Sequence, residues 1–240
     1  LWCGPASHQC LQPETCAADG DCELGLLCNL ETNTCEGCGS SEFDLTRLAP
    51  NVMILLDRSG SMDNEIDGQT RWDIAKDAIE SVTIRFDSEI RFGLATYSSC
   101  LAGGCSAGSI VVPIADTNAE AINGFLDPLR GEGSSNGASP RYLCDSGDPE
   151  TSTGRSLLAL TGEPTLQDPA RVNAVMLVTD GAESGSCTND GTENGPAGAA
   201  ALFGQTVSVR TYVVGFAFGG DSLEAIASAG GTTNAYRADD

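Results

Sequence analysis

The chain has 240 residues, an ordinary apolar fraction of 40%, and 34 acidic against 12 basic side chains, for a formal charge of −22. That balance argues against nucleic acid and anionic membranes as partners, because phosphates and lipid headgroups need a basic counterpart. No apolar run reaches the roughly 18 residues that cross a bilayer, and the length suits one good-sized domain plus a small appendage.

The first 40 residues form a segment of their own. The chain opens at Leu1 without Met or a signal peptide, as a processed or trimmed form would. Leu1-Trp2-Cys3-Gly4 is a poor lipoprotein site, since Trp2 stands where a small residue is expected. Cysteines fall at positions 3, 10, 16, 22, 28, 35 and 38, separated mostly by Gly, Asp, Glu, Asn and Thr. So little apolar material cannot fold by burial alone and needs staples. The chain total of 11 cysteines exceeds what a reducing compartment favours, and His8 is the sole histidine, so disulfides fit better than zinc. The expected location is extracellular or at the cell surface, with the periplasm as an alternative. An odd cysteine count leaves one thiol free or bonded to another chain.

From Ser40 onward apolar strands alternate with helical periods. Val52–Leu56 is an unbroken apolar run, as in a strand buried on both faces. Thr70–Phe86 places Trp72, Ala75, Ile79, Val82 and Phe86 at three- to four-residue intervals and predicts an amphipathic helix. Ile90–Tyr97 and Ser109–Ile114 read as strands, and Asn118–Asp127 as a helix stopped by Pro128. Gly131–Pro149 reads as a long loop and Gly154–Leu160 as a short helix. Val172–Thr179 is a second strongly apolar strand. A Gly- and Asn-rich loop over 181–196 leads to a helix at Ala197–Gln205, a strand at Val207–Gly215, a helix at Ser222–Ala229 and a strand at Thr233–Arg237. The alternation predicts an α/β fold: a doubly wound, mostly parallel sheet with helices on both faces, over residues 41–240, behind a disulfide-rich segment at 1–40. Ligands of such sheets gather at the carboxyl ends of the strands.

Two strands end there in carboxylates, Asp57 and Asp180. Asp57-Arg58-Ser59-Gly60-Ser61 delivers one carboxylate and two hydroxyls into a tight turn, a set of hard oxygens suited to a small divalent cation. Singly, Asp57 reads better as a turn cap and the serines as a helix N-cap pair. Together with Leu177-Val178-Thr179-Asp180-Gly181, Thr151-Ser152-Thr153-Gly154-Arg155-Ser156-Leu157 and Arg91-Phe92-Gly93-Leu94-Ala95-Thr96-Tyr97, they make residues 41–240 resemble a von Willebrand factor type A domain with a metal-ion-dependent adhesion site. The segment before it resembles short Cys-rich repeats seen beside bacterial surface modules. The resemblance implies that Ser59 and Ser61 bind a metal directly, that Thr151 does so directly or through water, and that Asp57 and Asp180 act mainly through water and by orienting the serines. Thr151 fits the motif better than Thr153. Mg²⁺ is the expected ion, with Mn²⁺ or Ca²⁺ as alternatives. A partner's Asp or Glu would complete the coordination.

The family usually adds a final helix after the strand matched by Ala235-Tyr236-Arg237, and an apolar strip left bare there would invite assembly. Among the later cysteines, Cys100 with Cys105, and Cys144 with Cys187, are the expected pairs. Asp63-Asn64-Glu65-Ile66-Asp67-Gly68 begins like a calcium loop, but Ile74 occupies the position that needs a bidentate Glu, so an exposed acidic loop is expected. Asn189-Asp190-Gly191 reads as a turn.

An enzyme is not expected. Ser59 lacks a G-x-S-x-G context, His8 lies in the stapled segment, and no P-loop motif occurs. The expected function is a metal-dependent adhesion or binding module for a protein or matrix ligand. The alternative is a structural subunit of a surface or filamentous assembly, in which self-assembly or an intermolecular disulfide links chains.

Overall fold

The computed structural model describes residues 2–3, 10–11, 15–22, 26–37, 48–98, 105–127, 150–181, 183–216 and 222–238. The chain separates into two compact units, Leu1–Arg47 and Leu48–Asp240.

The first unit has two small antiparallel pairs: β1 (Trp2–Cys3) with β2 (Cys10–Leu11), and β3 (Leu26–Asn29) with β4 (Thr34–Gly37). Disulfides join Cys16 to Cys28 and Cys22 to Cys35. The two bridges interlock in sequence order, and each closes a short loop, an effect worth on the order of 3 kcal/mol through the unfolded chain. Asp21 is buried, and its carboxylate accepts from the Ala17 and Ala18 N–H groups at 3.0 Å each. Asp19 accepts from the Cys28 N–H at 3.0 Å. The acidic residues of this segment therefore replace missing core by fixing backbone donors. The sulfurs of Cys16, Cys22 and Cys35 lie within 4.8 Å of one another, but all three are oxidised and offer no thiolate to a metal.

The second unit is built on a six-stranded sheet. Its strands in chain order are β5 (Asn51–Asp57), β8 (Arg91–Tyr97), β9 (Ser109–Ala115), β10 (Asn173–Thr179), β11 (Val209–Gly215) and β12 (Tyr236–Arg237). Their spatial order is β12-β11-β10-β5-β8-β9. All neighbours are parallel except β9, which runs antiparallel to β8 at one edge. The helices are α1 (Arg71–Arg85), α2 (Ala119–Leu126), α3 (Thr153–Ala159), α4 (Gly195–Phe203) and α5 (Ser222–Ala229).

Strand alternation divides the core into two layers. Met53 and Leu55 join Leu157, Ala199, Leu202, Leu223 and Ile226 on the face covered by α3, α4 and α5. Ile54 and Leu56 join Trp72, Ala75, Ile79, Ile122 and Leu126 on the face covered by α1 and α2. This is the doubly wound arrangement that the buried apolar runs imply, since β5 has no solvent face to give to polar residues. The helix predicted over Thr70–Phe86 forms with Thr70 as its cap; its hydroxyl accepts from the Asp73 N–H at 3.1 Å.

The acidic stretch after Ser61 is a hairpin instead of an open loop. β6 (Glu65–Ile66) pairs with β7 (Gln69–Thr70), and Asp67 and Gly68 both have positive φ, 51° and 85°. That is the twist an Asp-Gly turn supplies between two strands. Asn189-Asp190-Gly191 is a turn as expected, with the Gly191 N–H donating to the Thr188 carbonyl at 2.9 Å. The long loop expected over Gly131–Pro149 lies outside the described residues.

One expectation is overturned. Cys105 bonds to Cys187, not to Cys100, and Cys187 is thereby unavailable to Cys144. The cause is α3. Its Arg155 donates to the Cys105 carbonyl at 2.7 Å and Ser152 to the Ser106 carbonyl at 2.7 Å, while Thr151 just before it exchanges hydrogen bonds with Ser184. The start of one helix thus brings together the segment before β9 and the segment after β10. Cys100 and Cys144 lie outside the described residues.

Candidate functional site

β5 and β10 are adjacent and parallel, so their carboxyl ends deliver Asp57 and Asp180 to one edge of the sheet. Asp57 is fully buried. Its Oδ2 accepts from the Thr179 hydroxyl at 2.6 Å, and its Oδ1 accepts from the Ser59 N–H at 2.8 Å and the Ser98 hydroxyl at 3.4 Å. Burial pushes this carboxyl above its ordinary value, against the Thr179 and Ser59 hydrogen bonds, and the Asp180 charge adds to the rise. The Tyr97 hydroxyl, buried beside it, is also pushed well up, by burial and then by the Asp57 charge.

The chain turns after Asp57 with Ser59 extended, at φ −65° and ψ 161°, and a short 3₁₀ turn over Gly60–Asp63 follows. This brings Ser59 Oγ and Ser61 Oγ to 3.0 Å, and the Ser61 hydroxyl donates to Asp180 Oδ1 at 2.7 Å. Asp57, Ser59, Ser61 and Asp180 therefore form one connected cluster of oxygens. Ser59 and Asp180 are buried, and Ser61 is exposed.

Thr151, the remaining expected ligand, comes from a third segment. It is buried two residues before α3, and its N–H and carbonyl pair with the hydroxyl and N–H of Ser184 at 3.0 Å each. That exchange ties it to the loop leaving Asp180. Thr153, the other threonine of the motif, is instead 3.2 Å from the Tyr97 hydroxyl and packs into the core. The preference for Thr151 over Thr153 rests on its place in the sequence motif.

Several residues that motif reading passed over support the cluster. Thr179 and Ser98 hold Asp57. Glu183 accepts from the Gly154 N–H at 2.8 Å and the Gly195 N–H at 2.6 Å, so one carboxylate satisfies the first turns of α3 and α4 together. Burial raises its pKa, opposed by those two N–H groups and by Arg155. Arg71, the first residue of α1, donates to Asp180 Oδ2 and forms an ion pair with it. Only Thr179 had a visible signal, lying beside Asp180 in the strand; the others become neighbours through topology.

The donor set suits a divalent cation in chemistry and in the spacing of its serine oxygens. All its atoms are oxygens, with neutral hydroxyls beside carboxylates, the chemistry that Mg²⁺ and Ca²⁺ favour over softer metals. Neighbouring ligands of an octahedral Mg²⁺ at 2.0–2.1 Å stand about 2.9 Å apart. The serine oxygens, at 3.0 Å, have that spacing.

A family model for the von Willebrand factor type A domain matches residues 52–183. No curated protein matches the chain. Among solved structures the chain is similar to proximal thread matrix protein 1 from the mussel byssus, with TM-score 0.52 and 15% identity over 76% of this chain and 41% of that one. It is similar to the PilB minor pilin from Streptococcus sanguinis, with TM-score 0.52 and 15% identity over 82% and 58%. A third is the SpRpn10 VWA domain, with TM-score 0.50 and 15% identity over 79% and 86%. At these identities the likeness is one of fold, and the chain spans less than half the length of the mussel protein.

Proposed function

The chain belongs to the von Willebrand factor type A family, and from that premise we propose that it is an adhesion module that captures a protein or matrix ligand through a divalent cation. The observation that carries this reading is the connected cluster of Asp57, Ser59, Ser61 and Asp180 at the carboxyl edge of β5 and β10. Ser59 and Ser61 would hold the ion directly. Thr151 would complete the protein's share directly or through water, and Asp57 and Asp180 would orient the hydroxyls and supply negative charge. Mg²⁺ is the expected ion, with Mn²⁺ or Ca²⁺ as substitutes.

Neutral hydroxyl ligands leave a divalent charge incompletely balanced, so a carboxylate from outside is attracted to an open coordination position. Bound there, the cation makes the site a receptor for an exposed Asp or Glu on a partner. A non-enzymatic role agrees with this donor set, which binds and orients without a positioned general base. The disulfides support an extracellular or cell-surface setting. Among the described residues no helix is long and apolar enough to cross a membrane.

A second reading, a structural subunit, draws on the sheet face beyond α1. Tyr212 and Tyr236, on neighbouring β11 and β12, are 37% and 59% exposed there. Capture of surface or matrix proteins, with and without EDTA and with Asp57→Ala, separates the two. The adhesion reading predicts that EDTA and the substitution each abolish capture; assembly into large species that ignores EDTA would favour the subunit instead.

A further inference from the structure

Arg71 occupies a position that helix physics disfavours. As the first residue of α1 it sits where unpaired N–H groups create a positive end, and acidic side chains are preferred. The nearest acid on its own helix does not explain it, because Asp73 pairs with Lys76 at 2.7 Å. Arg71 instead crosses to Asp180, 109 residues away in sequence. Asp180's other oxygen accepts from Ser61, so the guanidinium and the serine hydroxyl share one carboxylate within the oxygen cluster.

The pairing is also incomplete. A guanidinium that recognises a carboxylate fully uses two parallel N–H bonds. Here Nη1 makes the contact, while Nε is buried without a hydrogen-bond partner among the described residues. Such a pair neutralises Asp180 yet leaves a desolvated donor unused, which limits its net stabilisation.

From these contacts we propose that Arg71 is a built-in competitor of the divalent cation: its positive charge occupies Asp180 and sets the threshold that a metal must exceed. The inference rests on the metal-dependent reading above. A cation among Ser59, Ser61 and Asp180 feels the Arg71 charge directly, either by repulsion or by having to take over Asp180 from it. Arg71 is thus a specificity-determining residue. It disfavours monovalent ions, whose single charge gains little by replacing a guanidinium, and it keeps Asp180 neutralised until a divalent ion arrives. The cost of removing Arg71 falls on the metal-free form, where Asp180 would be buried without a countercharge.

The test is a Mn²⁺ titration of the full chain, read by the electron paramagnetic resonance signal of free Mn²⁺, with melting temperature measured beside it. The proteins are wild type, Arg71→Ala, Arg71→Gln and Asp57→Ala; the Gln variant keeps a side-chain donor without charge and covers the case in which Ala does not fold. The expected result is Mn²⁺ binding about ten-fold tighter in the Arg71 variants, the lower part of the usual range for coupled sites. Their metal-free melting temperature should fall, and their gain on adding Mn²⁺ should exceed that of the wild type. Unchanged or weaker Mn²⁺ binding in both Arg71 variants overturns the proposal. If that occurs while Asp57→Ala abolishes binding, the cation site stands and only the role of Arg71 fails. If Asp57→Ala binds as the wild type does, both fail.

Discussion

Thr179 and Asp57 show how a single hydroxyl supports the whole edge. The Thr179 hydroxyl donates to a carboxylate with no exposure to solvent, at 2.6 Å. Thr179→Val keeps the shape and the β-branch but leaves Asp57 short of a donor. A buried acceptor so deprived costs about 1–3 kcal/mol, which urea unfolding of the metal-free protein would register. Cation affinity should fall as well, since Asp57 would no longer be fixed beside Ser59. Retained stability and affinity would mean that Ser98 and the Ser59 N–H hold Asp57 unaided. At this scale the sequence was informative where a motif is contiguous: Asp57, Ser59 and Ser61 lie within five residues and must share a turn. Arg71 and Glu183 were illegible, because their partners are remote in sequence and nothing in Gln69-Thr70-Arg71 announces Asp180.

At the scale of elements, the junction of α3 and α4 leaves no room for added side chains at two of its glycines. A side chain at Gly154 would put its Cβ 2.0 Å from the Glu193 carbonyl oxygen, and one at Gly198 would come within 2.6 Å of the Gly154 carbonyl oxygen. Both obstructions are backbone, so neither gives way cheaply. Gly154→Ala is expected to destabilise by about 1–3 kcal/mol or more, and to weaken cation binding because Thr151 lies two residues before α3. Denaturant unfolding checks the first effect and a Mn²⁺ titration the second.

Glu183 closes the same junction and gives it a pH dependence. Its pKa in the folded protein lies above the ordinary 4.5, owing first to burial. The folded state therefore holds this proton more tightly than the unfolded one. The associated stability is complete below the unfolded value and is lost as pH rises through the folded value. As pH rises from below the ordinary 4.5 through the raised folded value, the wild type should lose stability relative to Glu183→Gln, whose side chain does not titrate. Parallel pH profiles for the two proteins would contradict this assignment. The helices themselves were legible from apolar spacing, whereas the β6–β7 hairpin was passed over although its Asp67-Gly68 turn carries a local signal.

For the whole molecule, β10 was readable because Ala174–Val178 is an unbroken apolar run within Asn173–Thr179, as suits a strand covered on both faces. The partner of Cys105 was not readable, because pairing depends on which loops α3 gathers and 82 residues separate the two sulfurs in sequence. That bridge closes a long loop and should contribute on the order of 4 kcal/mol in the chain-entropy picture. Replacing Cys105 and Cys187 together with serine should lower the melting temperature and weaken cation binding, since the Cys187 N–H donates to the carbonyl of Ser184, the residue paired with Thr151.

The most direct measurement of the central claim is calorimetric titration of the metal-free chain with Mg²⁺ and Mn²⁺, comparing wild type with Asp57→Ala and Ser59→Ala after circular dichroism has established that each is folded. One saturable site in the wild type, lost in both folded variants, is the predicted result. Binding that persists undiminished in Asp57→Ala and Ser59→Ala, or a wild type that takes up neither ion, would contradict it.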